Sequence, residues 1–263
     1  MASPLPRVMI WYQCRSRSTA LELSLASVPT FKIFHDHFFM AGVNTESIEE
    51  LNFFGQIPGN YSYDGVKDSY EKTYPGKEAV IAKDTAVALK DKYQYIPDGF
   101  KHVFLIRDPR ETIRSTWEVV KSLEERGFAS FDTRDLVSKL ASLQPTWNLY
   151  NHLVKEKKDK PIIIDSQDLV RNPRDILNKL CGMTGLTFRE SMLKWKPGNI
   201  DHWPDLVKIV NIYESSIYGA AVESEKFDEA LSKPHYAEID SPLQLIIETD
   251  STIFRKMIED KLQ

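Results

Sequence analysis

RVMIWYQCRSRST, residues 7–19, joins an apolar run to a basic, hydroxyl-rich turn, and ALELSLASV (20–28) follows with the spacing of a helix. Strand, polar turn and helix in direct succession is how an α/β protein holds a phosphate-like anion. The first-turn N–H groups of a helix have no intrahelical acceptor, point outward along the axis, and sit at the positive end of the helix dipole. Arg15 and Arg17 add charge, and Ser16, Ser18 and Thr19 add short hydrogen bonds. The turn has no glycine and no Lys followed by Ser or Thr, so it is not a Walker A loop. Five consecutive anion-binding side chains behind an apolar strand favour an anion site over an ordinary solvated turn.

Outward from this stretch, apolar runs alternate with helical patterns. VMIWY (8–12), FKIF (31–34), AVIA (79–82), VFLI (103–106) and PIII (161–164) read as five short strands. Helices are expected over 19–28, 110–126, 133–156, 172–184 and 242–262. Asp108-Pro109 and Asn172-Pro173 supply a cap and a first-turn proline to two of them. β-branched runs separated by helices imply a central parallel sheet covered on both faces. No repeat or low-complexity linker interrupts 1–263, which reads as a single α/β domain. Two stretches lack a sustained period. Residues 185–218 are rich in Trp, Pro and Gly, and 40–78 form an irregular excursion expected to serve as a substrate lid.

Bulk composition narrows the function. The apolar fraction of 42% and charged fraction of 27% are ordinary for a globular chain. A net charge of −4 argues against a nucleic-acid partner, so any anion site is a local basic pocket. Cys14 and Cys181 have neither a disulfide framework nor metal-ligand spacing, and two free thiols suit a reducing compartment. No stretch approaches the roughly 20 apolar residues of a membrane span, and the N-terminus lacks a signal peptide's apolar core. The expectation is a cytoplasmic protein without a membrane partner.

A second corner lies in VFLIRDPRETIRS, 103–115. Arg107 stands at the carboxyl end of a predicted strand, where open α/β sheets bind ligands, and Ser115 lies in the helix that follows. Alone, Arg107 would simply pair with Asp108 or Glu111. With the first loop, two anion corners on one sheet point to a nucleotide phosphorylated at both ends.

CRSRST (14–19) together with RDPRETIRS (107–115) resembles the sulfotransferases that use 3′-phosphoadenosine 5′-phosphosulfate, PAPS. DSQDLVRNP (165–173), the LKW around Trp195 and YESSIYG (213–219) agree less specifically. The resemblance implies a three-layer α/β/α domain of the P-loop nucleoside-triphosphate-hydrolase type. It implies that Arg15, Ser16, Arg17, Ser18 and Thr19 bind the 5′-phosphosulfate, and that Arg107 and Ser115, eight positions apart, bind the 3′-phosphate. Cys14 stands where a proline is common in that family.

FHDHFF (34–39) holds the candidate base. In a strand His35 and His37 would share a face, but no further His or Cys lies nearby to complete a zinc site, and no metal is expected. The resemblance places an acidic base after this strand in some members and a histidine after the strand corresponding to AVIAKDT in others. Here Lys83, Asp84 and Thr85 fill the later place. His35 is therefore the first choice as base, suited to proton removal near neutral pH, with Asp36 as runner-up. Trp117, Trp147 and Trp195 read as core. Tyr61, Tyr63, Tyr70 and Tyr74 could line an acceptor site or pack a lid down. KEKKDK (155–160) reads as a solvated helix end.

The reaction implied is sulfuryl transfer from PAPS to a hydroxyl or amine of a small-molecule acceptor, releasing adenosine 3′,5′-bisphosphate. His35 or Asp36 takes the proton, and Arg15 with the loop N–H groups meets charge on the departing oxygen. The rivals are a P-loop kinase, which the missing GxxxxGK[ST] opposes, and a sulfotransferase-like nucleotide-binding protein without turnover. Acceptor identity and oligomeric state are not encoded in any pattern of this sequence.

Overall fold

Among the described residues five strands, all parallel, form the sheet in the order β2-β3-β1-β4-β5: β1 Arg7–Tyr12, β2 Phe31–His35, β3 Ala79–Thr85, β4 Lys101–Ile106 and β5 Ile162–Asp165. The computed structural model describes residues 5–44, 61–126, 132–156, 160–205, 207–208, 215–228 and 241–262. All five runs expected to be strands are strands, and the α/β class with a parallel central sheet holds. The edge at β5 is partly covered, because Leu262 N–H donates to Ile163 O at 2.7 Å.

The helices are α1 Ser18–Ala26, α2 His37–Asn44, α3 Tyr63–Glu71, α4 Pro109–Glu125, α5 Thr133–Ala141, α6 Gln144–Glu156, α7 Ser166–Arg171, α8 Pro173–Thr184, α9 Ser215–Val222 and α10 Ser241–Ile258. Asp108 caps α4, its carboxylate accepting from Arg110 N–H, with Pro109 in the first turn as expected. Three expectations need correction. The helix read over 133–156 is two helices, α5 and α6, broken at Ser142-Leu143 where Asp250 from α10 accepts Leu143 N–H at 2.8 Å. The aperiodic end of 185–218 contains the start of α9. The excursion over 40–78 is helical at both described ends, in α2 and α3, and its residues 45–60 lie outside the described residues.

Strand alternation sorts side chains onto two faces. Val8 and Ile10 join Ile33, Ile81, Leu21, Leu25, Leu177 and Leu180 in one core, under α1 and α8. Met9 and Trp11 join Phe34, Val80, Phe104, Tyr150 and Ile253 in the other, under α2, α3, α6 and α10. A third cluster, with Met40, Ile113, Leu136 and Trp203, seals α2, α4 and α5 to α10. β1 is central, with β3 on one side and β4 on the other. The turn after it therefore opens where the chain's path divides, the place where open α/β sheets hold ligands.

Candidate active site

On the α1 face the apolar ladder of each strand ends in a polar residue. Ile10 is followed by Tyr12, Ile81 by Lys83 and Ile33 by His35, and His35 is paired in register with Lys83. The same alternation that builds the core thus delivers a polar shelf at the carboxyl ends of the strands.

The loop 13–17 rises from this shelf. It bends without glycine, so Arg15 (φ 63°) and Arg17 (φ 67°) themselves adopt the left-handed conformation. For non-glycine residues that is strain of order 1–3 kcal/mol each, the kind that persists where surrounding structure enforces it. Arg17 is the residue before α1, so Ser18 and Thr19 occupy its first turn. Arg15 Nε donates to Ser115 Oγ at 3.0 Å and its Nη1 to Ile217 O at 2.6 Å. Arg107 Nη1 donates to Arg15 O at 3.0 Å, tying the two corners together. Arg107 also pairs with Glu111, its Nε 2.7 Å from Oε2, and Arg17 Nη2 lies 3.9 Å from the same oxygen. The pairing with Glu111 that Arg107 would make in isolation is therefore present together with its contact to the loop. Burial, and then the nearby Arg107 charge, pushes the Arg17 guanidinium down to about 10. Burial also lowers Arg15 and raises the Cys14 thiol, so Cys14 is held as a thiol.

A cleft of about 230 Å³ opens over the loop. Cys14, Arg15, Arg17, Ser18, Thr19 and Arg107 line it, with Tyr12 and Lys83 from the shelf and Tyr218 and Lys226 from the opposite wall. Ser16 does not line it: its hydroxyl is fully buried and has no hydrogen-bond partner. Ser115 faces the loop through Arg15 and lies outside the cleft lining.

Behind the cleft wall Lys83 joins Glu22, His35 and Asp36 in a buried polar quartet. Glu22, from the second turn of α1, places Oε2 2.7 Å from His35 Nδ1 and 3.0 Å from Lys83 Nζ. Lys83 Nζ also lies 3.3 Å from Asp36 Oδ2, and that oxygen is 3.1 Å from His35 Nε2. The last contact is out of line for a hydrogen bond, so His35 Nε2 and Asp36 Oδ1 are buried without one. The other oxygen of Glu22 accepts from Trp203 Nε1 at 2.6 Å and faces His202 Nε2 at 2.5 Å. Burial alone would raise the Glu22 carboxyl, but His35 and Lys83 outweigh it and hold Glu22 well below the usual carboxylate range. Burial likewise opposes the charge on Lys83, and Asp36 and Glu22 outweigh it and raise the ammonium. His35 and Asp36 thus sit behind the cleft wall, within reach of Lys83, and neither lines the cleft itself.

His35 and His37 do not share a face. The strand ends at His35; Asp36 then turns left-handed (φ 54°) with its N–H on Lys83 O at 2.9 Å, and His37 opens α2. His37 packs among the rings of Phe34, Tyr61 and Tyr70. Among the described residues no group of three or more His, Cys, Asp or Glu is placed to hold a metal ion. Asp84, from the opposite face of β3, accepts the N–H groups of Phe38 at 2.5 Å and Phe39 at 3.1 Å and so anchors the start of α2. Tyr70 is fully buried and Tyr63 nearly so, against Phe34 and Phe38. These tyrosines pack α3 down on the sheet. Trp195 is core, and Trp147 and Trp117 are half-buried against core clusters. Of 155–160, residues 157–159 lie outside the described residues.

A sulfotransferase-domain family profile matches residues 6–228. The chain belongs to the sulfotransferase-domain family. Two solved sulfotransferases share its fold. One is a domain from the curacin biosynthetic pathway, with 16% identity and a TM-score of 0.57 over 94% of this chain and 98% of that one. The other is a domain of the Synechococcus PCC 7002 olefin synthase, with 17% identity and a TM-score of 0.54 over 92% of this chain and 94% of that one. In sequence the chain is 26% identical over 196 residues to the branched-chain-amino-acid aminotransferase-like protein 2 of Arabidopsis thaliana, covering 72% of this chain and 32% of that protein. The chain thus spans about a third of the length of that curated relative. Among the described residues no helix is long and apolar enough to cross a membrane.

Glu22, Tyr12, Lys83 and Tyr218 enter the site unannounced by the motif reading. Two had a signal in the sequence. Glu22 is the lone charge in the apolar helix ALELSLASV, and Lys83 directly follows the apolar run AVIA, where ionised side chains are rarely buried unpaired. Tyr218 had only the loose agreement of YESSIYG (213–219), which does not indicate which part folds back over the loop.

Proposed function

We propose that this chain transfers a sulfuryl group from PAPS to a hydroxyl or amine of a small-molecule acceptor. The observation that carries the reading is the convergence of Arg15, Arg17, Arg107 and Lys83 on one cleft at the strands' carboxyl ends, in a chain of the sulfotransferase-domain family. Four fixed cations and a helix N-terminus suit a doubly phosphorylated donor. In this reading Arg15, Arg17, Ser18, Thr19 and the first-turn N–H groups of α1 hold the phosphosulfate, and Ser16 shapes the turn. Arg107, steadied by Glu111, holds the 3′-phosphate, and Ser115 contributes by fixing Arg15 from behind the cleft lining. A guanidinium has five N–H donors, so the contacts of Arg15 to Ser115 and Ile217 leave it capacity for the donor.

The acceptor oxygen or nitrogen attacks sulfur with its lone pair, in line with the departing bridging oxygen. The bond from sulfur to that oxygen breaks, its electron pair stays on the 5′-phosphate, and the acceptor's proton passes to Lys83 at the cleft wall as Lys83 hands one on to the His35–Asp36 pair behind it. Arg15 and Lys83 face the oxygens on which charge grows. Fixed cations meet the leaving group, and the reading calls for no metal. The paired-free thiols Cys14 and Cys181 suit work in the cytoplasm.

Arg107→Ala tests the donor assignment. Calorimetric affinity for adenosine 3′,5′-bisphosphate is expected to fall at least about tenfold more than affinity for adenosine 5′-phosphate, the scale of one charge-assisted contact. Equal losses for both nucleotides would remove the 3′-phosphate from that corner.

A further inference from the structure

Glu22 lies outside the cleft lining, yet four donors converge on it: His35 Nδ1 at 2.7 Å, Lys83 Nζ at 3.0 Å, His202 Nε2 at 2.5 Å and Trp203 Nε1 at 2.6 Å. These come from β2, β3 and the 200–205 segment, while Glu22 belongs to the helix that starts at the anion loop. A carboxylate oxygen 2.7 Å from a ring nitrogen requires a proton between them. Glu22 is the partner held ionised, so that proton sits on His35 Nδ1. In the neutral form of the ring the lone pair is then on Nε2, the atom left without a hydrogen bond, 3.1 Å from Asp36 Oδ2, while Lys83 Nζ lies 3.2 Å from Nδ1. Lone pair and carboxylate oppose each other there, and a proton arriving between them removes the opposition. The His35 ring cannot swing away, because it is fully buried and stacked on Trp203 with centroids 4.2 Å apart.

We propose that Glu22 is a positioning residue for the sulfuryl-transfer site. It fixes His35 as the Nδ1–H tautomer, presents Nε2 beside Asp36 as a proton acceptor, and holds Lys83 at the cleft wall. The proposal rests on the function proposed above. Its logic is that of a carboxylate that orients an imidazole without itself taking the proton. It also couples the two halves of the reaction, since the same helix presents its N-terminus to the donor and Glu22, one turn further on, to the proton acceptor. Glutamine is the informative replacement. It has one acceptor oxygen where four donors converge, so its NH₂ must face two of them.

The test reads the His35 ring directly, by ¹⁵N-histidine NMR of the full chain at neutral pH, alone and with saturating adenosine 3′,5′-bisphosphate. The expected wild-type spectrum has a protonated Nδ1 and an unprotonated Nε2 for His35. The expected result for Glu22→Gln is loss of that fixed tautomer, with both nitrogens moving toward the averaged shift, while adenosine 3′,5′-bisphosphate affinity stays within about threefold. Glu22→Asp keeps the charge with a shorter reach and is expected to restore the Nδ1–H signature in part; it serves as the variant if Glu22→Gln does not fold. A wild-type His35 protonated on Nε2, alone or together with Nδ1, or an unchanged tautomer in folded Glu22→Gln, overturns the proposal. Wild-type protein that does not bind adenosine 3′,5′-bisphosphate would break the donor reading and leave the tautomer result standing, so the two failures are distinguishable.

Discussion

His35 and His37 are separated by one residue, and the sheet divides them. His35 ends β2 on the α1 face, in a dry network of Glu22, Lys83 and Asp36. His37 begins α2 on the other side, among Phe34, Tyr61 and Tyr70. Burial among rings, with nearby His35 and Lys32 adding to it, pushes the His37 imidazole down to about 3. The charged side is held by ions whose desolvation must be offset by partners. The aromatic side is held by ring area and needs no partner charge. Polar groups fixed in a dry pocket can do chemistry, whereas a ring among rings supplies stability, and the two sides should respond differently to substitution.

The largest expected effect is Lys83→Met. It keeps most of the side chain's apolar stem and removes the only ammonium in the quartet, leaving Glu22 and Asp36 buried together. The expected cost is about 3–5 kcal/mol of stability by denaturant unfolding, with a loss of sulfuryl transfer, because one partner of a buried ion network has been removed. A cost under about 1 kcal/mol would mean that ion pairing does not hold this side. Phe38→Ala strikes the aromatic side instead. Phe38 is fully buried, stacked near Trp11 and Tyr63 and edge-on to Tyr70. A similar loss of about 3–5 kcal/mol is expected from the cavity. At a temperature where the variant is folded, calorimetry should find its adenosine 3′,5′-bisphosphate affinity within about threefold of wild type; a larger loss would show that the two sides are coupled.

The smallest effect concerns pH. With the folded-state value near 3 and the unfolded value at 6.5, the unfolded chain takes up the His37 proton first as pH falls. The stability contributed by neutral His37 is therefore complete above about pH 6.5 and is lost progressively as pH drops toward 3. His37→Phe keeps the ring and removes the titration. Between pH 7 and pH 5, denaturant unfolding should show wild type losing about 2 kcal/mol more than His37→Phe. Equal losses would place His37 in contact with water or a carboxylate in the folded state.

The strands and most helices were legible because each reports locally. Val8–Tyr12 and Ala79–Ala82 are short β-branched or apolar runs, and Asp108-Pro109 is a cap with a first-turn proline. The split of α5 from α6 was not, because Asp250, more than 100 residues away, takes up the Leu143 N–H. The loop 13–17 was legible as a run of basic and hydroxyl side chains, but not the left-handed turns at Arg15 and Arg17, since nothing in local preference puts arginine there. The separation of His35 from His37 was hidden for the same reason. Strand alternation predicts a shared face, and only the turn at Asp36, held by Lys83 O, breaks it.

By itself the sequence determined the parallel α/β layering and the two arginine-bearing corners, because period and motif are properties of neighbouring residues. It also carried Glu22 and Lys83 as charges embedded in apolar runs, without saying what they meet. Only the tertiary structure decided that they meet each other, His35 and Asp36 beneath one cleft. Desolvating a charge is tolerable only where partners from other elements arrive at hydrogen-bond distance, and here those partners come from α1, β3 and the end of β2.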